Sequence, residues 1–111
     1  MLVNRTKGRV ITPKVDVADS LLRRGIGLMF RKSYDGALVF PKTGNATFHG
    51  FFCFFPILLL CLDENNRVID KKILKPWRTV KVGCATVVEL DARKKWEVNI
   101  GDELSWDAGR V

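Results

Sequence analysis

The sequence predicts a mainly β fold, a small antiparallel β-sandwich or barrel-like domain with one short helix near residues 16–24. Three observations carry that reading. Apolar runs are short and bounded by Gly, Pro, Asn or charged turns, β-branched residues alternate from Val80 onward, and only one stretch has helical spacing. Short strands separated by frequent turn signals favour a sandwich or barrel over a parallel α/β sheet.

Leu2 to Arg5 and Arg9 to Val15 read as a hairpin around Lys7-Gly8, with Pro13 confining the second strand to an edge or interrupting it. The period changes at Asp16. Val17, Ala18, Leu21 and Leu22 recur at helical spacing, Asp16 suits the cap, and Arg23 and Arg24 suit the last turn before Gly25. Gly25 to Arg31 then reads as an elbow that turns its apolar residues inward. Gly36 to Phe40 is a short strand ended by Pro41, and Lys42 to Asn45 a turn.

Phe48 to Leu62 reads as two strands around Pro56. Five of the seven phenylalanines lie between positions 48 and 55, and a run without alternation needs cover on both faces. After a Glu64-Asn65-Asn66 turn comes a strand from Arg67 to Leu74. Farther on, Val80, Val82, Cys84, Thr86, Val88 and Leu90 share one phase, with Lys81, Gly83, Ala85, Val87 and Glu89 in the other. That is a half-buried strand with a break expected at Gly83. Asp91 to Lys95 is a charged turn, Trp96 to Ile100 a short apolar segment, and Glu103 to Trp106 a last strand. Residues 1–106 form one β domain by this reading, and 107–111 a disordered tail.

A chain of 111 residues buries one core, and its 47% hydrophobic content is that of a folded protein. The net charge of +7 has two accounts, solubility or a polyanionic partner, and the basic residues are spread along the chain rather than gathered in an arm. Three cysteines, Cys53, Cys61 and Cys84, make an odd set in apolar surroundings. They read as buried free thiols, which points to a reducing, cytoplasmic setting. A thiolate zinc site would need all three to converge with His49, so neither metal nor cofactor is expected. Phe51 to Leu62 is too short to span a bilayer, and Met1 to Lys14 lacks the apolar region of a signal peptide; no membrane partner is expected.

The constellations of common enzymes are missing. Gly25-Ile26-Gly27 lacks a third glycine and a preceding strand, there is one histidine, and Ser20, Ser33 and Ser105 sit in no nucleophile elbow. His49 is the one side chain with an ordinary pKa near neutrality. Its plain alternative is a packed residue with one backbone hydrogen bond. Cys53 would stand ~13 Å from it in an extended chain, too far for a dyad. Lys75-Pro76-Trp77-Arg78 places an aromatic between cations, suited to stacking a base or sugar; alternatively Trp77 closes one end of the core. Arg31 is a bidentate partner for Glu89, Asp63 or a ligand anion, with the structural pairing the simpler expectation.

Gly27-Leu28-Met29-Phe30-Arg31, Gly36-Ala37-Leu38-Val39-Phe40, Pro56 to Asp63, Pro76-Trp77-Arg78, Val88-Glu89-Leu90 and Gly101-Asp102 together resemble the uncharacterised family known as domain of unknown function 192, in its short archaeal form. The resemblance runs from about Val10 to Leu104. It implies a compact β-sandwich-like fold and no established activity. Two positions depart from the family pattern: Leu58 stands where an aspartate is usual, and Phe51-Phe52-Cys53 where bacterial members carry Lys-Asn-Thr. No catalytic role is therefore transferred, although His49 resembles the histidine of the archaeal version. The sequence favours a non-catalytic binding domain for a small anionic or sugar-like ligand, using Arg31, His49, Trp77, Arg78 and Glu89 around one end of the sandwich. The alternatives are nucleic-acid binding through the basic surface and a homo-oligomer formed through Phe51 to Leu62.

Overall fold

A computed structural model describes residues 1–18 and 27–107. Among these residues the chain is all β: β1 (Leu2–Asn4), β2 (Arg9–Thr12), β3 (Val15–Val17), β4 (Ala37–His49), β5 (Ile57–Leu62), β6 (Val68–Leu74), β7 (Thr79–Asp91) and β8 (Leu104–Trp106). They make two open sheets, one in the order β2-β1-β8 and one in the order β3-β4-β7-β5-β6, and no closed barrel. All pairings are antiparallel except β3 with β4, which is parallel.

The hairpin β1–β2 forms as predicted, and β2 stops at Thr12 on the sheet edge, just before Pro13. The helix expected from Asp16 does not begin there. Val15 to Val17 instead pair with Ala37 to Val39, and Ala18 N donates to Val39 O at 2.8 Å. The β-branched pair Val15 and Val17 fits a strand, and the remainder of the expected helix, 19–26, lies outside the described residues. Asp107 pairs with the N-terminal ammonium of Met1 at 2.8 Å, and the rest of the expected tail, 108–111, is likewise outside them.

Pro41 does not end its strand. It sits opposite Thr86 inside β4, and the chain bulges between Pro41 and Gly44, with Lys42 and Gly44 at positive φ and the Thr43 hydroxyl donating to Phe40 O at 2.7 Å. The bulge replaces the expected turn and lets β4 run for 13 residues. Strand β7, of the same length, passes through Gly83 without a break. Its alternation, however, changes phase. Val82 and Cys84 pack on one face of the sheet with Val87, whereas Val88 and Leu90 pack on the other. Glu89, placed with the outward set by simple alternation, is thereby turned into the core and is 4% exposed.

Phe48 and His49 end β4, and the stretch 50–55 is not a strand. After His49 the chain makes a tight loop in which Cys53 N donates to Gly50 O and Phe52 adopts φ +61. Only Ile57 to Leu62 continue as β5, paired by β7 and β6, and all six are buried because both faces are covered: Ile57, Leu59 and Cys61 pack in one core and Leu58, Leu60 and Leu62 in the other. This half of the apolar run is covered by the protein's own layers. One face of the large sheet packs on the small sheet through Leu2, Val98 and Leu104, and the other is covered by loop residues Leu28, Tyr34, Cys53 and Phe55.

Several carboxylates tie the layers together. Asp102 accepts from Asn99 N at 2.9 Å and Asn4 Nδ2 at 2.8 Å, with Lys7 at 3.4 Å, and these contacts hold its pKa below the usual carboxylate range. Asp91 is held low in the same way, first by the Arg93 side chain, which donates to it through Nε and Nη2.

Gly50 is where the loops close against one another. A Cβ there would run into the backbone carbonyl oxygen of Lys75. Gly50→Ala is expected to destabilise by on the order of 1–3 kcal/mol, since backbone cannot step aside as a side chain does. Gly44→Ala, whose Cβ would meet open space but at φ +63, costs only about 1 kcal/mol. Urea denaturation of both variants tests the order; equal losses would show that the contact at Gly50 is not tight.

Candidate functional site

On the loop-covered face a cavity of about 120 Å³ opens between β4, β5, β7 and the loop segments that carry Leu28 and Cys53. Phe40, Phe48, His49, Cys53, Ile57 and Glu89 are among its walls, with Gly27 at its lip. Phe40 and Phe48 meet edge to face at 5.1 Å and give it an aromatic side. The polar interest is at Glu89. Its place in β7, opposite Leu38 on β4 and Leu59 on β5, sets the carboxyl among apolar neighbours.

Glu89 Oε1 is buried and has no hydrogen-bond partner among the described residues. A Cβ built on Gly27 would lie 3.5 Å from that oxygen, so the glycine leaves the space beside the carboxyl open. Burial raises the Glu89 pKa from an ordinary 4.5 to about 8. At neutral pH the group is mostly a neutral carboxylic acid, able to donate one hydrogen bond and accept others.

His49 and Cys53, which an extended chain would separate, line the same cavity because the loop between them turns back. His49 Nδ1 accepts from Phe51 N at 3.3 Å, the backbone bond that a merely packed histidine would make, and its ring stacks on Phe51 at 5.1 Å. Cys53 is buried, and desolvation first, then the charge of Glu89, push its thiol up to about 11. Cys61 is pushed to about 12, again mainly by burial. All three cysteines are free and buried, and thiols raised as those of Cys53 and Cys61 are make poor nucleophiles. Although His49, Cys53 and Glu89 share the cavity, no three His, Cys, Asp or Glu side chains come close enough among the described residues to hold a metal ion.

The other residues singled out from sequence stand apart from this cavity. The Arg31 guanidinium lies over the Tyr34 ring at 5.3 Å and pairs with neither expected partner. Glu89 Oε1 is unpartnered, and Asp63 Oδ1 instead accepts from Asn65 N and Arg67 N, closing the turn before β6. Trp77 does not close the core. It is 55% exposed and meets Phe52 at 4.9 Å and Phe51 at 6.3 Å outside the cavity mouth. Arg78 contributes its backbone carbonyl to Gly50 N. Of the residues singled out from sequence, His49 and Glu89 line this cavity, and its walls Phe40, Phe48 and Gly27 were not among them. Glu89 came from the Val88-Glu89-Leu90 motif of the family resemblance; its setting in Val87-Val88-Glu89-Leu90, where both phases are apolar, is a second signal of its burial.

A family model for uncharacterised proteins, domain of unknown function 192, matches residues 2–106. A UPF0127 protein of Thermococcus kodakarensis is 38% identical over 114 residues, covering 96% of this chain and 73% of its own length. One from Pyrococcus horikoshii is 35% identical over 113 residues, covering 96% and 98%. Among solved structures, a protein of unknown function from Novosphingobium aromaticivorans shares the fold with a TM-score of 0.76 at 20% identity, over 95% of this chain and 82% of that one. A candidate transcription regulator from Sinorhizobium meliloti also reaches 0.76 at 21% identity, over 94% and 88%. With the match spanning both sheets and the Glu89 cavity, the chain belongs to the family of domain of unknown function 192 in its archaeal form.

Proposed function

We propose that this protein is a binding domain for a small, neutral, hydroxyl-bearing ligand of the sugar or polyol class, held in the Glu89 cavity. The observation that carries the reading is the buried Glu89 carboxyl with Oε1 left without a partner beside open space. Such a group costs about 1–3 kcal/mol when it finds no hydrogen bond, and a ligand hydroxyl supplies one. A protonated carboxyl donates and accepts together, which matches a hydroxyl. Phe40 and Phe48 offer apolar walls to the C–H faces of a ring. Of the two ligand classes expected from sequence, the anionic one has less support, because neither the Arg31 nor the Arg78 guanidinium is a wall of the cavity and the carboxyl disfavours a second negative charge.

A thermal-shift panel of neutral polyols and monosaccharides against phosphates and carboxylates tests this. Neutral compounds are expected to raise the melting temperature of the native protein and to leave that of Glu89→Leu unchanged. Stabilisation by anions only, or an equal response from the variant, would overturn it.

The raised pKa also makes a stability prediction independent of any ligand. Between about pH 4.5 and about pH 8 the folded state holds the Glu89 proton while the unfolded state has released it. Stability contributed by this group is therefore complete below pH 4.5, declines through that window by on the order of a few kcal/mol, and levels off above it. Glu89→Gln should flatten the decline, as read from urea midpoints between pH 5 and 9. The partnered aspartates act with the opposite sign and in the acid range, so they do not mask it.

A further inference from the structure

Outside the cavity, three loops meet at one end of the large sheet: residues 27–33, 50–56 and 75–79. They are bonded to one another, Phe30 N to Phe52 O, Gly50 N to Arg78 O and Trp77 N to Gly50 O. Five large aromatics on them are exposed: Phe30, Phe51, Phe52, Phe54 and Trp77. Four of these rings form a linked chain, Phe30 to Phe52 at 5.2 Å, Phe52 to Trp77 at 4.9 Å and Trp77 to Phe51 at 6.3 Å, which continues to His49 at 5.1 Å.

Phe30, Phe52 and Trp77 all take left-handed backbone, with φ of 66°, 61° and 65°. For a residue with a Cβ this costs roughly 1–2 kcal/mol each, and such strain gathers where a structure holds side chains for use. The same loops carry four exposed cations, Arg31, Lys32, Lys75 and Arg78, and not one Asp or Glu. None of the four has an ion-pair partner among the described residues.

We propose that this aromatic and cationic face binds single-stranded nucleic acid without strong sequence preference. Bases stack on the exposed rings, and the phosphates are met by Arg31 and Lys32 at the Phe30 end and by Lys75 and Arg78 around Trp77. A second copy of the chain is a poor occupant, since two such faces would bring like charges together with no acidic group to offset them. An anionic bilayer would satisfy the cations. The linked π faces, each ring beside the next, suit a ladder of bases better than separate insertions into lipid. The face lies outside the Glu89 cavity, so the inference does not rest on the ligand reading above.

Fluorescence anisotropy with labelled oligothymidylate and oligouridylate of about 15 nucleotides tests it, with sedimentation of phosphatidylglycerol vesicles as the comparison. With at least three phosphates engaged, affinity should fall about 20-fold between about 50 and 200 mM salt. Trp77→Gly relieves the left-handed strain while removing the ring, so it should fold at least as well as the native protein and bind at least about fivefold more weakly. Arg67→Ala, at the far end of β5, and Glu89→Gln should bind within twofold of the native protein. The proposal is overturned by absence of oligonucleotide binding at low salt, by vesicle binding without oligonucleotide binding, or by equal losses in Trp77→Gly and Arg67→Ala.

Discussion

The phase change within β7 is the constraint on which the rest of this structure depends. Strand β7 is paired on both sides, by β4 along nearly its whole length and by β5 over its second half. The phase changes between Cys84 and Val87, opposite the bulge of β4 between Pro41 and Gly44, so that Val87 and Glu89 share a face with Cys84. Without that change of phase Val88 and Leu90 would share the face of Cys84, and Glu89 would stand on the opposite one. One irregularity in β7, set opposite the bulge in β4, therefore decides which core receives a carboxyl.

This protein otherwise satisfies its acids. Asp102 and Asp91 accept two or more hydrogen bonds each, Asp63 closes its own turn, and Asp107 meets the N-terminus. Glu89 alone, among the described residues, has a buried side-chain atom with no partner. A fold that pairs its other buried carboxylates and leaves this one facing a cavity has retained a cost at that position. A buried acid of this kind resists the charged form, and the proton it keeps is what lets the group act as a donor near neutrality.

The sheets were largely legible in the sequence because their signals are local. The β1–β2 hairpin, β6 after the Asp63 turn, β8 and the presence of β7 follow from alternation and turn chemistry. What was not legible required partners distant in sequence. Val15 and Val17 joined β4 in parallel, an arrangement that no pattern within residues 15–18 announces. The phenylalanine run 51–55 was read as a covered strand, but Gly50 is claimed by the 75–78 loop, and Phe51, Phe52 and Phe54 turn outward. Of the five site residues, His49 and Glu89 meet in one cavity, whereas Arg31, Trp77 and Arg78 belong to the outer loops that cover it. Both groups sit at the same end of the large sheet, joined through the hydrogen bonds of Gly50 to the 75–78 loop.

The most direct test of this account is the titration of Glu89 itself, followed by NMR of its side-chain carboxyl carbon between pH 3 and 10 in selectively labelled protein. A midpoint near 8 is the result the buried, unpartnered geometry requires. A midpoint at the ordinary value of 4.5 would mean that the carboxyl is solvated or paired, and the cavity as described here would not hold its proton.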